Sequence, residues 1–338
     1  MRWNELTVLV TGGTGSFGRK FAEVILASYP PKKLIIFSRD ELKQHDMHHK
    51  LAAFAPVLRF FIGDVRDRDR LYRAMHAVDV VVHAAAMKQI PTCEYNPFEA
   101  VMTNVFGARN VIDAAIDCKV KRAVLVSTDK AVNPVNLYGA TKLCAEKLFV
   151  HGNAYSGAEG TRFAVVRYGN VVGSRGSVVP LFAAQRKNGY ITLTDERMTR
   201  FWITLQEVVK FVIRSLQDMQ GGEIFVPKLP SMRMAALAKA VARDAEVRII
   251  GVRPGEKLHE LLICEDEARQ TLEFDDRFVV LPAHCWCNKE KWNGGRPLPD
   301  GFRYSSDQNT EWLQAEDFER LMQQQPEVEE AIYASAPE

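Results

Sequence analysis

Leu6–Gly18 reads L-T-V-L-V-T-G-G-T-G-S-F-G. The apolar, β-branched run Leu6–Val10 predicts a buried strand. It leads straight into Gly12, Gly15 and Gly18, spaced G-x-x-G-x-x-G, and helical spacing follows over Arg19–Ser28. Glycines alone would mark only a tight turn. Between a strand and a helix they let the backbone approach a pyrophosphate, whose charge suits the helix N-terminus. Gly12, Thr14, Gly15, Ser16, Phe17 and Gly18 are therefore candidate cofactor residues.

The alternation continues outward from this turn. Further strands are expected at Leu34–Phe37, Arg59–Ile62, Val78–His83, Arg122–Ser127 and Phe163–Arg167, with helices at Asn104–Cys118 and Tyr138–Phe149. Strands alternating with helices predict an α/β chain with a Rossmann-type, doubly wound parallel sheet. After Gly169 the pattern is less regular. Helices are expected at Val178–Asn188, Leu205–Met219 and Met234–Arg243, and strands at Ile191–Leu193, Glu223–Val226 and Val247–Val252. From about Pro282 the composition predicts loops and a terminal helix near Thr310–Gln324. The expected organisation is a dinucleotide-binding domain over residues 1–168 and a smaller mixed α/β substrate-binding region over 169–338, with segments crossing between them.

Composition narrows the function classes. The 338 residues carry 44 basic and 42 acidic side chains, a net charge of +2, which argues against a general nucleic-acid binder. No apolar run reaches the roughly 18 residues that span a bilayer. The run before the glycine turn is too short for a signal-peptide core. Six cysteines, at 93, 118, 144, 264, 285 and 287, show no disulfide framework, so a cytoplasmic, reduced protein is expected. His284-Cys285-x-Cys287 has no second half, and no metal site is expected. His45, His48 and His49 read as a polar helix face.

The second strand ends at Ser38-Arg39, with Lys43 a turn later. A cationic pair suits a 2′-phosphate and favours NADP, although Asp40 could still reach a ribose. Asp64 and Val65 follow the third strand and are placed to reach an adenine. Ala84, Ala85 and Ala86 follow the fourth and are small enough for close approach. Asn104 and Ser127 complete the candidate cofactor residues, with Tyr138 and Lys142.

The chemistry gathers in S-T-D-K-A-V-N-P-V-N-L-Y-G-A-T-K, Ser127–Lys142. Tyr138-x-x-x-Lys142 puts both side chains on one helix face. An ammonium there is expected to lower the tyrosine pKa, so that Tyr138 can take a proton from a sugar hydroxyl. Thr128, Asp129 and Lys130 supply an acid and a base beside it.

With these motifs the chain resembles the extended short-chain dehydrogenase/reductase family over most of residues 5–265. Sugar-nucleotide 4,6-dehydratases of that family usually carry Thr-Asp-Glu where this chain has Thr128-Asp129-Lys130. Lysine there, with S-R-D-E-L-K-Q, A-A-A-M-K-Q, R-Y-G-N-V and R-P-G-E-K-L-H-E, is similar to the inverting UDP-N-acetylglucosamine 4,6-dehydratases. Enzymes of that kind begin the route to pseudaminic acid on flagellin and surface glycans of Gram-negative bacteria.

The resemblance implies a redox-neutral cycle. Tyr138 deprotonates O4 as hydride leaves C4 for NADP⁺. Lys130, if neutral, removes the C5 proton, and Asp129, if protonated, donates to the departing C6 hydroxyl. Hydride returns to C6, and C5 is reprotonated on its other face, giving UDP-2-acetamido-2,6-dideoxy-β-L-arabino-hex-4-ulose. Lys130 needs a lowered pKa for this, with Lys142 and Lys88 as possible neighbours. The resemblance also assigns Lys88, Asn170, Arg175, Gly176, Ser177, Val178, Met198, Thr199, Arg200, Arg253 and Glu256 to the UDP-sugar site. It implies a homo-oligomer, dimer or hexamer. A UDP-sugar 4-epimerase, a retaining 4,6-dehydratase and a non-catalytic NADP-binding regulator are the competing readings.

Overall fold

In this computed structural model the described residues are 1–157, 159–174, 177–283 and 289–323. The first half alternates as expected: β1 (Thr7–Thr11), α1 (Ser16–Ser28), β2 (Lys33–Ser38), α2 (Glu41–Lys50), β3 (Leu58–Ile62), α3 (Arg68–Met75) and β4 (Val80–His83). Two short helices, α4 (Ile90–Tyr95) and α5 (Pro97–Val101), precede a π-helical turn at Met102–Phe106 and α6 (Gly107–Asp117). Then come β5 (Arg122–Val126), a 3-10 turn at Asp129–Ala131, α7 (Leu137–Ser156) and β6 (Arg162–Val166).

The second half adds β7 (Asn170–Val171), α8 (Val178–Arg186), β8 (Tyr190–Leu193), β9 (Thr199–Ile203), α9 (Leu205–Asp218), β10 (Ile224–Pro227) and β11 (Ser231–Arg233). It continues through α10 (Met234–Val241), β12 (Glu246–Ile249), β13 (Leu261–Ile263), α11 (Glu265–Ala268), β14 (Thr271–Glu273), β15 (Arg277–Val280), β16 (Arg296–Pro297), β17 (Tyr304–Ser305) and α12 (Ala315–Gln323).

One sheet runs β16-β14-β15-β10-β6-β5-β4-β1-β2-β3. From β3 to β10 the pairs are parallel; β15, β14 and β16 add an antiparallel edge. The strand order reverses between β1 and β4, so a crevice opens there at the strands' carboxyl ends. Helix α1 lies beside α9, while α3, α6 and α7 pack together in the other layer. The central strands are buried throughout, which is why they read as continuous apolar runs. A smaller apolar cluster under the second half includes Val179, Phe182, Trp202, Leu237 and Phe318.

Several expectations need correction. The helix expected from Asn104 starts at Gly107, because Met102–Phe106 forms the π turn; this turns Asn104 inward, 2% exposed. Helix α7 continues to Ser156, a full two turns past Phe149, where Gly157 at φ +73 ends it. Strand β12 stops at Ile249, and the terminal helix begins only at Ala315. Strand β9 and helix α3 were not expected. The first carries an arginine within an otherwise apolar run, and the second is rich in charge.

A buried ion triad joins the layers. Arg167, fully buried just after β6, forks onto Glu146 of α7 (Nη2–Oε2, 2.6 Å) and Glu267 of α11 (Nη1–Oε2, 2.9 Å). Removing one partner from such a group typically costs about 3–5 kcal/mol, so the triad fixes α7 firmly against the sheet. Among the described residues no helix is long and apolar enough to cross a membrane.

Candidate active site

A cleft of about 770 Å³ opens at the β1/β4 switch point and extends past the end of β8 to Ile250, Arg253 and Gly255–Lys257. Its floor at one end is the glycine turn. Gly12 has φ +65, and a Cβ there would stand 2.8 Å from the Ala85 backbone, so turn and Ala84–Ala86 approach at glycine distance. Gly15 precedes α1 without any side-chain cap, leaving the first N–H groups of a 13-residue helix facing the cleft. This chemistry fits a pyrophosphate. Thr14, Ser16, Phe17, Gly18, Ser38, Val65, Ser127, Tyr138 and Lys142 also line the cleft.

At the ribose end, Arg39 and Lys43 line the cleft as expected. Asp40 is already engaged: it accepts from the Lys43 N–H at 2.9 Å as the cap of α2 and pairs with the Lys43 ammonium. Ser38 Oγ is bonded to Thr14 Oγ1 at 2.6 Å. Burial works against ionisation of Asp64, but the Arg66 fork and N–H outweigh it and hold the carboxyl below its ordinary range. Asp64 is thus mostly spent on Arg66 (Nη2–Oδ2, 2.7 Å). Asn104 does not line the cleft. Its amide donates to Met87 O (2.9 Å) and Thr141 Oγ1 (3.0 Å), tying the segment after β4 to α7. The exposed face of α2 carries His45, His48 and His49, and no metal-binding cluster occurs among the described residues.

The proton-transfer groups sit at the middle of the cleft. Asn136 caps α7 by accepting from Gly139 N at 2.8 Å. A Cβ on Gly139 would lie 2.2 Å from the Lys130 carbonyl oxygen. Only glycine lets α7 seat against the turn that carries Asp129 and Lys130. Thr128 donates to Asp129 Oδ1 at 2.9 Å. Asp129 is fully buried behind Lys130 and does not line the cleft. Burial raises its proton affinity above that of an ordinary carboxyl, against the pull of Lys130.

Two pKa expectations are corrected. Burial alone would lower Lys130, but Asp129 and Glu260 outweigh it and hold the ammonium above the ordinary lysine value. Its Nζ lies 3.0 Å from Asp129 Oδ1, 3.3 Å from Glu260 Oε1 and 3.3 Å from Asn170 Oδ1. Tyr138 is raised by burial to about 12, and the cation opposing that rise is Lys130 rather than Lys142. Lys142 donates to Val126 O at 2.7 Å, and burial lowers it to about 8.

Of the candidate substrate residues, Lys88, Asn170, Ser177, Val178, Met198, Arg200, Arg253 and Glu256 line the cleft. Arg253 and Glu256 pair with each other. Arg200 spends donors on Thr199 O (2.7 Å), Leu258 O (3.0 Å) and Lys257 O (3.0 Å), so it holds the 257–258 backbone as well as contributing charge. Thr199 faces away from the cleft, bonded to His259 Nδ1 (2.9 Å) and Ser306 Oγ (2.7 Å). Arg175, Gly176, His284, Cys285 and Cys287 lie outside the described residues.

Two residues were missed by sequence reasoning. Glu260, 3% exposed, stands among Lys130, Lys257 (3.7 Å) and Arg200 (3.8 Å). Lys257 donates to Val132 O and lines the same wall. Both fall within R-P-G-E-K-L-H-E, but more than a hundred residues separate them from the Asp129–Ala131 turn. The only signal in the sequence was a carboxylate four residues after Glu256.

Fold and cleft together define the class, an extended short-chain dehydrogenase/reductase fold with proton-transfer groups set in its cleft. The chain belongs to the polysaccharide biosynthesis protein family, whose model matches residues 8–282. It is 51% identical over 319 residues to a UDP-N-acetylglucosamine 4,6-dehydratase (inverting) of Campylobacter jejuni, covering 92% of this chain and 95% of that one. A UDP-glucose 4-epimerase of Rickettsia canadensis is 44% identical over 282 residues, 81% of this chain and 82% of that protein. The crystal structure of Pen from Bacillus thuringiensis superposes with a TM-score of 0.87 at 38% identity, over 96% of this chain and all of that one.

Proposed function

We propose that this protein is a configuration-inverting UDP-N-acetylglucosamine 4,6-dehydratase, a hydro-lyase using NADP. The observation that carries the reading is Lys130, charged and beside Asp129 and Tyr138, at the position where the resemblance leads one to expect glutamate in a retaining enzyme. The long match to the Campylobacter protein supports it. In this reading residues 1–168 hold the dinucleotide and residues 169–338 mainly the UDP-sugar. Formation of a pseudaminic acid precursor in a cytoplasmic homo-oligomer belongs to the same reading.

The glycine turn, the α1 N-terminus, Arg39 and Lys43 would hold the dinucleotide, which when bound accepts a hydride from the sugar and later returns one. The protein's own groups do the rest. Tyr138 takes the O4 proton. Lys130, as an amine, takes the C5 proton. Asp129, whose proton affinity burial raises, would in its protonated form give that proton to the C6 hydroxyl, which leaves as water. Lys88, Lys257 and Arg253 supply cations for the diphosphate.

Incubation with UDP-N-acetylglucosamine in deuterated water tests the function by NMR. The expected product is a 4-keto-6-deoxy sugar with deuterium at an inverted C5. The Rickettsia relatives favour a second reading, 4-epimerisation, which would interconvert C4 epimers without loss of water. Retained C5 configuration would sink the inverting assignment.

The cofactor choice rests on Asp40 being occupied while Arg39 stays 60% exposed at the cleft. Fluorescence titration is expected to give tighter binding of NADPH than NADH. Arg39→Ala should narrow that preference by about 1–2 kcal/mol, roughly ten-fold. Equal affinities in the parent protein would remove the case for NADP.

A further inference from the structure

Lys130 rests as an ammonium, and base chemistry at C5 needs the amine. The proton must therefore go somewhere before C5 is attacked. Four titratable groups face Lys130 closely enough to matter: Asp129 on its own turn, Glu260 before β13, Arg200 on β9 and, at the cleft mouth, Lys88. Lys257 and Tyr138 complete the cluster. The cations cannot accept a proton, and Tyr138, held as the phenol by burial, already carries one. Asp129 serves as the acid for C6 and cannot also be the acceptor.

Glu260 remains. Its backbone is pinned on both sides: Glu260 N–H donates to Ser306 Oγ at 2.9 Å, and Ser306 N–H donates to Glu260 O at 2.9 Å. Its Oε1 lies 3.3 Å from Lys130 Nζ. Its Oε2 is buried with no hydrogen-bond partner among the described residues, an uncommon state for a carboxylate oxygen. The side chain lines the cleft. Burial works against its charge, but Lys130 first, and then Arg200 at 3.8 Å and Lys257 at 3.7 Å, outweigh it and hold the carboxyl below its ordinary range; Arg200 and Lys257 also line the cleft.

We propose that Glu260 is the proton partner of Lys130, taking one proton from the ammonium when a diphosphate sugar fills the cleft and so freeing the amine. This rests on the dehydratase reading. In the transfer an Nζ–H bond breaks, its electron pair stays on nitrogen, and an Oε–H bond forms; the ion pair becomes a neutral pair. A bound diphosphate draws the fields of Arg200 and Lys257 away from Glu260, and expulsion of water favours the neutral pair over the charged one. Once the amine has taken the C5 proton, the pair holds one proton more than at rest, which matches the one proton C5 must regain. Glu260 acts through Lys130 and is a positioning residue, not one that meets the sugar.

The first test needs no substrate. Lys130 is labelled with acetic anhydride across pH in the full chain and read by mass spectrometry, with exposed Lys50 as the internal standard. The Glu260 carboxylate raises Lys130, so Glu260→Gln should move the labelling midpoint down by about one pH unit or more. Glu260→Asp should stay near the parent, and its melting curve guards against misfolding. An unmoved midpoint in Glu260→Gln overturns the proposal. The second test follows deuterium entry at C5 of UDP-N-acetylglucosamine. Glu260→Gln should lose about ten-fold or more at its plateau, with the ascending limb shifted to lower pH and partial rescue by Glu260→Asp. A slower reaction with the parent pH profile would show a merely structural role and refute the proton transfer. No exchange by the parent protein, with the labelling shift intact, would refute the dehydratase reading and support the Glu260–Lys130 coupling.

Discussion

The Lys130→Met protein is expected to stop exchanging C5 while staying folded and able to bind dinucleotide. Methionine keeps the reach of the side chain and removes the base. Loss of a positioned proton-transfer group costs about 10²–10⁴-fold, read as deuterium entry at C5. A second effect follows from the geometry. Lys130 is the cation that opposes the burial of Tyr138, so its removal raises the phenol further. Oxidation at C4, followed by absorbance of the reduced dinucleotide, should therefore shift to higher pH in the same variant. Lys130→Glu is a harsher change. It sets a third carboxylate between Asp129 and Glu260, both buried, and like charges there cannot all ionise. It should fold less stably than Lys130→Met, and a retaining reaction is expected only when Glu260→Gln accompanies it. C5 exchange at the parent rate in Lys130→Met would show that another group is the base.

What was legible in the sequence was local. The glycine turn and Tyr138-x-x-x-Lys142 are short motifs whose geometry follows from strand, turn and helix, and both reach the cleft. The six central strands β2, β1, β4, β5, β6 and β10 were legible because burial on both faces leaves runs such as Val80–Val82 without alternation. Strand β9 was not, since Arg200 interrupts its apolar run and is buried only because backbone carbonyls from 257 and 258 receive it. The site failed to be legible in the same way. Tyr138 and Lys142 share a helix face, yet Lys142 turns to the Val126 carbonyl and leaves Lys130 as the cation that matters to the tyrosine. Glu260 reaches Lys130 across 130 residues of chain, and no periodicity or spacing records such a contact. Asn104 was a candidate cofactor residue, but a π-helical turn directs it to Met87 and Thr141, tying the segment after β4 to α7.

Tyr138→Phe is expected to remove C4 oxidation by about 10²–10⁴-fold, with binding of UDP-sugar and dinucleotide little changed. The pH dependence sharpens the test. Burial raises Tyr138 to about 12, so at pH 7 the phenol form prevails. Burial disfavours the anion, and the rate of oxidation in single turnover should therefore climb with pH across the neutral range. Tyr138→Phe should abolish the climb along with the rate; a variant that still oxidises C4 with the parent's pH profile would exclude the phenol as the base. Thr128 adds a link. Its hydrogen bond favours the Tyr138 anion, yet the same hydroxyl donates to Asp129 Oδ1 at 2.9 Å. One hydroxyl proton cannot serve both. While Asp129 is ionised it competes for that proton, and once Asp129 is protonated the hydroxyl is free for Tyr138. The state that favours O4 deprotonation is then also the state in which Asp129 holds the proton needed at C6. Thr128→Val should break this link, moving the oxidation limb to higher pH and slowing loss of water in the same protein.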